Sequence, residues 1–184
     1  MPRLFIAAPI GDSVKSNLER VGWAANARGV KWVDPENMHL TLAFLGEVEE
    51  RRVPEVEDVI YSATEGIEEP LTLQAQGLGA FPDEEKARVL WAGLDGHVPR
   101  LIELQARLVK ELRSAGFEVD SKRYRPHITL ARFRWPQPLP ERLARLQVFG
   151  EWQVHELQLV ESHLRPAGPH YVVRLDVPLL EGEE

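Results

Sequence analysis

The sequence predicts an α+β fold built from antiparallel sheets, in a chain with an internal duplication. Predicted strands and helices alternate along the 184 residues, but several strand pairs are joined by loops too short for a parallel crossover. A tetrapeptide also occurs twice, as His39-Leu40-Thr41-Leu42 and His127-Ile128-Thr129-Leu130, with 88 residues between the two histidines. Because this interval is close to half the chain, and a helix is predicted after each copy, we interpret the chain as a degenerate duplication. Each half would supply one motif strand.

Apolar runs bounded by glycine or proline predict eight strands. A polar loop from Phe81 to Lys86 joins two of them as a hairpin, and a turn at Pro166 to Pro169 joins the last two. Pro126 precedes the second motif strand, and a proline-rich link begins at Pro136. In chain order, the predicted strands cover residues 4–8, 31–33, 39–45, 71–78, 88–94, the second motif strand from 127, 151–164 and 170–177.

Apolar residues spaced three and four apart predict helices between these strands. Asp12 or Ser13 caps the first helix, and Pro54 begins the second. The third helix, residues 98–115, is the clearest, with a stripe of leucines and Gly116 as its stop. A short fourth helix is predicted around residues 141–146. The expected buried faces are Val14, Leu18, Val21 and Ala25 in the first helix, and Leu101, Leu104, Leu108 and Leu112 in the third.

The repeated tetrapeptide has the geometry of a reaction site. Random placement of six histidines and four threonines gives about 0.13 His-x-Thr pairs, so two pairs followed by leucine are an excess. In an extended strand, residues i and i+2 share a face, so each copy presents an imidazole and a hydroxyl together. The two aliphatic residues of each copy anchor its other face in a core. Two such strands brought together form a polar floor of His39, Thr41, His127 and Thr129.

These residue types suit acid–base chemistry at a phosphate. Two imidazoles on opposite sides of a scissile bond form a general acid–base pair, and threonine hydroxyls donate hydrogen bonds to phosphate oxygens. Arg132, five residues after His127, is a candidate for a charge-assisted contact to the same anion. On a regular strand it would face the other way, so it reaches the site only if the strand bends or ends near Ala131. A strained cyclic phosphate fits this set of groups, with no metal and no covalent nucleophile.

Charge and composition narrow the classes of partner. A net charge of −7 argues against a general nucleic-acid coat protein, whereas residues 121–140 carry no acid and contain the second motif, which suits a small anion or a nucleic-acid end. The absence of cysteine excludes disulfides and thiolate metal sites. No apolar run is long enough to span a membrane, so we expect a cytoplasmic protein. The cations of the basic stretch are Lys122, Arg123, Arg125, Arg132 and Arg134.

Less specific interpretations compete with the catalytic one. One histidine at the start of a strand is more often structural than catalytic, and the basic stretch alone is equally consistent with a solvated face. A metal site lacks carboxylate partners at a useful spacing, so we expect no metal and no cofactor. Phe133 and Trp135 are candidates for stacking a nucleobase. The other histidines, His97, His155, His163 and His170, are expected to be structural or exposed.

Both motifs resemble those of the 2H phosphoesterase superfamily, defined by two His-x-Thr/Ser-x motifs. Within it, the chain is most similar to the RNA 2′,3′-cyclic phosphodiesterase family, also called the bacterial and archaeal 2′-5′ RNA ligase family. The resemblance covers nearly the whole chain and includes segments outside the motifs. These segments are Arg3 to Ala7, Trp32, Ala43 to Gly46, Gly77 to Pro82, Val89 to Trp91, Pro126, Ala131 and Arg132, Leu159 to Ser162 and Gly168 to Tyr171.

The resemblance implies one bilobal domain over residues 1–184, with pseudo-twofold halves around a central cleft. It implies hydrolysis of RNA 2′,3′-cyclic phosphate ends to 2′-phosphomonoesters, with His39 as proton donor and His127 as acceptor, and the reverse 2′-5′ ligation by the same groups. We expect a monomer. Alternatives are another substrate, such as ADP-ribose cyclic phosphate or 2′-5′ oligoadenylate, and a non-catalytic module that binds RNA ends.

Overall fold

Two antiparallel sheets form the framework of the protein, as predicted. The computed structural model describes residues 1–24, 28–120, 122–143 and 147–179. One sheet has four strands in the order β3-β1-β8-β9, and the other has five in the order β2-β6-β5-β4-β7. The strands are β1 Arg3–Ala8, β2 Val30–Trp32, β3 Leu40–Glu47, β4 Leu71–Phe81, β5 Ala87–Gly96, β6 Ile128–Gln137, β7 Val148–Val154, β8 Glu156–Arg165 and β9 Gly168–Pro178.

Within the described residues, three helices and three 3₁₀ turns connect the strands. The helices are α1 Asp12–Ala24, α2 Val53–Thr64 and α3 Val98–Ser114, and the turns are Pro35–Asn37, Glu50–Arg52 and Glu141–Leu143. Helix α1 packs on β7. Helices α2 and α3 pack on each other, and α2 also contacts β9 whereas α3 contacts β3. The predicted apolar faces of α1 and α3 are buried. Ala25 of the predicted face, and residues 144–146 of the predicted fourth helix, lie outside the described residues, and residues 141–143 form a 3₁₀ turn.

The prediction of one strand over residues 151–164 is wrong. This segment forms two strands in different sheets, because β7 pairs with β4 and β8 pairs with β1. The buried residues change from even positions, Trp152 and Val154, to odd positions, Leu157 and Leu159. Side chains alternate along a strand, so one straight strand cannot bury both sets, and the chain crosses between sheets near His155.

The second motif strand is longer than predicted. The sequence places a proline-rich link at Pro136, yet β6 continues to Gln137 and pairs there with Ala87. On its other side β6 pairs with the short β2, whose partners in β6 end at Phe133. Pro136 therefore occupies a part of the strand where one edge needs no ladder hydrogen bond, and proline is tolerated at such positions.

The duplication extends to the fine structure of the two motif strands. Each lies beside an inner strand, since β3 pairs with β1 and β6 pairs with β5. Each of these strand pairs has two register shifts, and the one within the motif leaves Leu42 of β3 or Leu130 of β6, the last residue of each motif, unpaired. The same β-bulge therefore recurs at the same motif position. The lobes are not contiguous halves of the chain, because the C-terminal hairpin β8–β9 completes the sheet that contains β1 and β3.

The aliphatic residues of the motifs anchor both strands in the core. Leu40, Leu42, Ile128 and Leu130 are at most 3% exposed and belong to a core cluster that draws on both sheets. The opposite faces of the motifs are left for the site. None of the helices in the described ranges is long and apolar enough to cross a membrane.

Candidate active site

A cleft of about 840 Å³ is lined by residues of both motif strands. It is lined by residues of both sheets, of the turn before β3, and of the segment between α3 and β6. The structure brings all five candidate site residues from the sequence into this one cleft. They are His39, Thr41, His127, Thr129 and Arg132.

The two motif histidines are held in the same way. Each lies immediately before its strand, and its Nδ1 is hydrogen-bonded to the backbone carbonyl two residues earlier. The distances are 2.8 Å from His39 Nδ1 to Asn37 O and 2.6 Å from His127 Nδ1 to Arg125 O. A carbonyl oxygen only accepts, so the proton is on Nδ1 and the lone pair of each neutral ring is on Nε2. Both histidines are thereby prepared to exchange a proton at Nε2.

Each motif histidine has two aromatic rings beside it, and for His127 the farther one is Trp91, at a centroid distance of 6.4 Å. The His39 ring makes edge contacts with Phe5 and Tyr171, at centroid distances of 5.8 Å and 5.3 Å. His127 has one close edge contact, to Phe81 at 5.0 Å. Burial lowers the pKa of His39 below its ordinary value, and the positive charge of Lys15 acts in the same direction. The hydrogen bond to Asn37 only partly opposes that shift. His39 is therefore neutral at pH 7 in the free protein.

The bulge at Leu130 explains how Arg132 reaches the cleft. Leu130 and Ala131 are both buried, so the alternation of side chains is interrupted between them. After this interruption Arg132 joins His127 and Thr129 in the lining, despite its odd offset from His127. The sequence allowed this only for a strand that bends or ends near Ala131, and the bulge is that irregularity.

The equivalent bulge at Leu42 brings Phe44 into the cleft. Phe44 is five residues after His39, as Arg132 is five residues after His127, and it is 67% exposed at the cleft surface. Phe133 and Trp135, the two aromatics that the sequence suggested for stacking, do not line the cleft. Phe133 is buried. The ring of Trp135 lies against Gly29, where an added Cβ would be only 2.5 Å from it.

Two further lining residues were not foreseen from the sequence. The Tyr124 hydroxyl donates a hydrogen bond to the Thr41 carbonyl, 2.8 Å away, and so links the segment before His127 to the first motif strand. The Asn37 side chain donates to the Pro169 carbonyl at 3.0 Å. The sequence gives one indication that these two residues belong to the site: each lies two or three positions before a motif histidine.

Positive side chains predominate among the charged residues of the lining. Of the cations in the basic stretch, Arg134 lies outside the lining and the other four belong to it. Lys31 of β2 adds a fifth cation, and Asp120 is the acid of this part of the lining. An anion is the ligand that this charge distribution favours. Across the described ranges, no three His, Asp or Glu side chains converge as a metal site would require.

The remaining histidines lie away from this constellation. His163 and His170 face each other across the β8–β9 hairpin, with ring centroids 6.4 Å apart, and both are exposed. His97 accepts a hydrogen bond at Nδ1 from the Thr72 backbone N–H beside the start of α3. His155 is exposed where β7 gives way to β8.

Several known enzymes have sequences similar to this chain. Residues 4–91 and 94–171 match the family of LigT-like phosphoesterases. The chain is 33% identical to an RNA 2′,3′-cyclic phosphodiesterase of Archaeoglobus fulgidus, over 92% of this chain and 96% of that protein. It is 36% identical to one of Thermus thermophilus, over 98% of this chain and 91% of that protein.

Solved structures share the same fold. Thermus thermophilus TT0787 superposes with a TM-score of 0.80 at 34% identity, over 96% of this chain and 97% of that one. E. coli LigT in its apo form gives a TM-score of 0.79 at 23% identity, with 98% of each chain covered.

Proposed function

This chain belongs to the LigT-like phosphoesterase family, and we propose that it hydrolyses the 2′,3′-cyclic phosphate ends of RNA to 2′-phosphomonoesters. The observation that carries the proposal is the matched tethering of two histidines in one cation-lined cleft, each with Nε2 free for proton transfer. The relatives named RNA 2′,3′-cyclic phosphodiesterase support the same reaction. The cleft needs both motif strands, so we further propose that the chain acts as one domain and as a monomer.

In the proposed mechanism, the two histidines transfer one proton each. His127 Nε2 takes a proton from a water molecule as its oxygen attacks phosphorus in line with the 3′ oxygen. The bond from phosphorus to the 3′ oxygen breaks, and His39 Nε2 gives its proton to that oxygen, leaving a 2′-phosphate and a 3′-hydroxyl. The product retains the water oxygen, and the two histidines end with exchanged protonation states. With a 5′-hydroxyl in place of water as the nucleophile, the same steps would break the bond to the 3′ oxygen and form a 2′-5′ linkage.

The phosphate oxygens are held by the other three candidate residues. Thr41 and Thr129 lie two residues after their histidines on the cleft side of each strand, where a hydroxyl can donate to a non-bridging oxygen. Arg132 is an always-charged, forked donor on the His127 side. Together they stabilise the charge that develops on phosphorus oxygens as the water attacks.

Because the pKa of His39 is lowered, we propose that His39 becomes protonated only after the substrate binds. An acid must carry a proton, yet burial keeps His39 neutral at pH 7 in the free enzyme. The negative charge of a bound cyclic phosphate favours the imidazolium, so binding raises the pKa of His39 again. The substrate thereby helps to charge its own acid.

The cations beyond the phosphate site favour an RNA strand over a small nucleotide. Lys31, Lys122, Arg123 and Arg125 line the same cleft as Arg132, more positive charge than one phosphate requires. Each cation that contacts a phosphate of a single strand contributes about −0.7 to the slope of log binding constant against log salt concentration. We expect the KM of a cyclic-ended oligonucleotide to rise more steeply with salt than the KM of a cyclic mononucleotide. Equal slopes would favour a small nucleotide substrate instead.

One assay tests the reaction and its two histidines. The protein is incubated with cyclic-ended RNA and 2′,3′-cyclic nucleotides in excess EDTA, and the products are separated as 2′- and 3′-phosphates. We expect 2′-phosphate from the wild type and none above background from His39→Ala or His127→Ala. His163→Ala is the matched control, since this histidine is exposed outside the cleft. Turnover retained in either motif variant contradicts the acid–base pair. Binding without turnover in the wild type favours a binding module.

A substrate with sulfur in place of the 3′ oxygen tests which histidine is the proton donor and which is the proton acceptor. A thiolate leaves without a proton, so it needs no general acid. We expect this substrate to restore much of the activity of His39→Ala and little of that of His127→Ala. The opposite pattern would exchange the two roles.

A further inference from the structure

We propose that Asn37 is a positioning residue that connects the β8–β9 hairpin to His39, and through it to proton transfer at the leaving oxygen. Its side-chain amide donates to the Pro169 carbonyl at the start of β9, 3.0 Å away. Its own backbone carbonyl accepts from His39 Nδ1 at 2.8 Å. One residue thus fastens the histidine to a part of the chain 132 residues away. The inference rests on the proposed function, in which His39 is the proton donor.

The turn that carries Asn37 contributes no buried side chain of its own, and the buried Met38 anchors it at its end. Residues 35–37 form one 3₁₀ turn, closed by a hydrogen bond from the Asn37 N–H to the Asp34 carbonyl at 2.8 Å. No residue of this short turn is buried. A single turn without a buried side chain moves easily unless a tertiary contact holds it. The amide of Asn37 supplies such a contact on the side that faces the cleft.

The hairpin also supplies the ring that packs on His39. Tyr171 is two residues after Pro169 in β9, and its ring lies 5.3 Å from that of His39. A shift of the hairpin relative to the turn would therefore move the ring at the edge of His39 away from the carbonyl that orients His39 Nδ1, which belongs to the turn. The bond from Asn37 to Pro169 keeps these two contacts in register.

The second histidine has a different support. His127 also donates from Nδ1 to a backbone carbonyl, that of Arg125, but the residue in the Asn37 position is there a long cation that lines the cleft. Its segment is held to the first motif strand by Tyr124. The two histidines are thus alike in their tautomer and unlike in what fixes the tethering carbonyl. We expect loss of the Asn37 amide to affect His39 and to leave His127 unchanged.

Asparagine suits this position because it is short and donates a hydrogen bond. Asn37→Asp keeps the shape but replaces the donor by an acceptor that faces the Pro169 carbonyl. Asn37→Ala removes the donor and leaves the backbone carbonyl in place. Both variants keep every side chain proposed to touch the phosphate. Glu36→Gln is the matched control, because Glu36 is exposed in the same turn and its backbone N–H, not its side chain, bonds Asp34.

The experiment measures kinetics on two substrates. With cyclic-ended RNA, we expect Asn37→Ala and Asn37→Asp to lower kcat about 10-fold and to leave KM within about 2-fold, since a misplaced acid affects the chemical step. On the substrate with sulfur at the 3′ position, the loss should shrink to less than about 3-fold, because no general acid is needed. Glu36→Gln should match the wild type on both substrates. Unchanged kcat on RNA, or an equal loss on both substrates, overturns the proposal.

A second measurement does not depend on turnover. ¹⁵N NMR of the histidine side chains reports which ring nitrogen carries the proton. In the wild type we expect His39 to be protonated at Nδ1, and in Asn37→Ala we expect mixed tautomers at His39 with His127 unchanged. Identical His39 signals in the two proteins overturn the positioning role. If the wild type hydrolyses no cyclic phosphate, the proposed function fails, and this measurement alone decides the role of Asn37.

Discussion

Substitution of Tyr124 by phenylalanine tests the link between the two motif segments. Tyr124 is three residues before His127, and its hydroxyl donates to the Thr41 carbonyl at 2.8 Å. Thr41 lies in β3, an edge strand of its sheet, and β1 pairs with it from the other side. The next carbonyl, that of Leu42, accepts from the Gln105 side chain at 3.3 Å. The edge of the first motif strand is therefore bonded by side chains, and Tyr124 provides the shorter bond.

The expected loss of stability follows from one buried hydrogen bond. Phenylalanine keeps the ring, so no large cavity forms, and only the hydroxyl is lost. A net hydrogen bond contributes about 0.5–1.5 kcal/mol, and a buried carbonyl left unpaired costs about 1–3 kcal/mol. Since the bond is partly buried, we expect the free energy of unfolding to fall by about 1–2 kcal/mol. For a chain of this length, that lowers Tm by roughly 2–8 °C. We also expect a lower kcat, because Thr41 carries one of the hydroxyls proposed to bind the phosphate.

The stability difference should also depend on pH. Burial raises the pKa of Tyr124 well above its ordinary value of 10 in the folded protein. The neutral hydroxyl thus stabilises the folded state fully below pH 10, and this contribution is lost as pH rises towards the folded pKa. Phenylalanine does not titrate. The gap in unfolding free energy between wild type and Tyr124→Phe should be constant below pH 10 and narrow above it.

Chemical denaturation across this pH range checks both expectations. Tyr61→Phe is the matched control, since Tyr61 is 51% exposed, and its unfolding free energy should stay within about 0.5 kcal/mol of the wild type. The reasoning is refuted if Tyr124→Phe is as stable as the wild type at neutral pH. A gap that stays constant to the alkaline limit would refute the role of burial.

Three further variants or conditions test the geometry of the site. Arg132→Lys keeps the charge but loses the forked donor, so we expect kcat/KM to fall about 10-fold, and about 100-fold or more for Arg132→Ala, in steady-state assays. In Gly79→Ala the new Cβ would lie 2.3 Å from the Trp91 ring, which packs near His127. We therefore expect a loss of about 1–3 kcal/mol in denaturation and a reduced kcat, and wild-type values would contradict this packing. Because burial lowers the pKa of His39, an NMR titration of the free protein should show His39 losing its charge below the ordinary value of 6.5, and a midpoint well above 6.5 would contradict the effect of burial.

The predictable part of the site follows from strand alternation. The rule that residues i and i+2 share a face correctly placed His39 and Thr41 in the cleft and Leu40 and Leu42 in the core. The same rule left Arg132 undecided, because a β-bulge is a property of pairing between two strands. The adjacent apolar residues of each motif strand are consistent with a bulge, but they also occur in fully buried regular strands.

The unpredicted part of the site depends on contacts between distant residues. Asn37 bonds a residue 132 positions away, and Tyr124 bonds one 83 positions away. Composition and periodicity describe neighbours along the chain, so they give no information about such pairs. The error over residues 151–164 has a different origin, since the shift from Trp152 and Val154 to Leu157 and Leu159 is visible in the sequence. A strict count of alternation would have divided that strand.

The duplicated framework produces an asymmetric site through two equivalent positions. The same bulge occurs at the last residue of each motif, and it turns Phe44 into the cleft on one side and Arg132 on the other. On the side with Phe44, burial lowers the pKa of the histidine, His39. The side with Arg132 has the cations of the basic stretch. In an acid–base pair, one histidine must be protonated while the other is neutral. Two identical motifs in identical surroundings would have the same pKa and the same protonation state. The difference between Phe44 and Arg132, which occupy equivalent positions after the two bulges, is therefore part of what separates the two proposed roles.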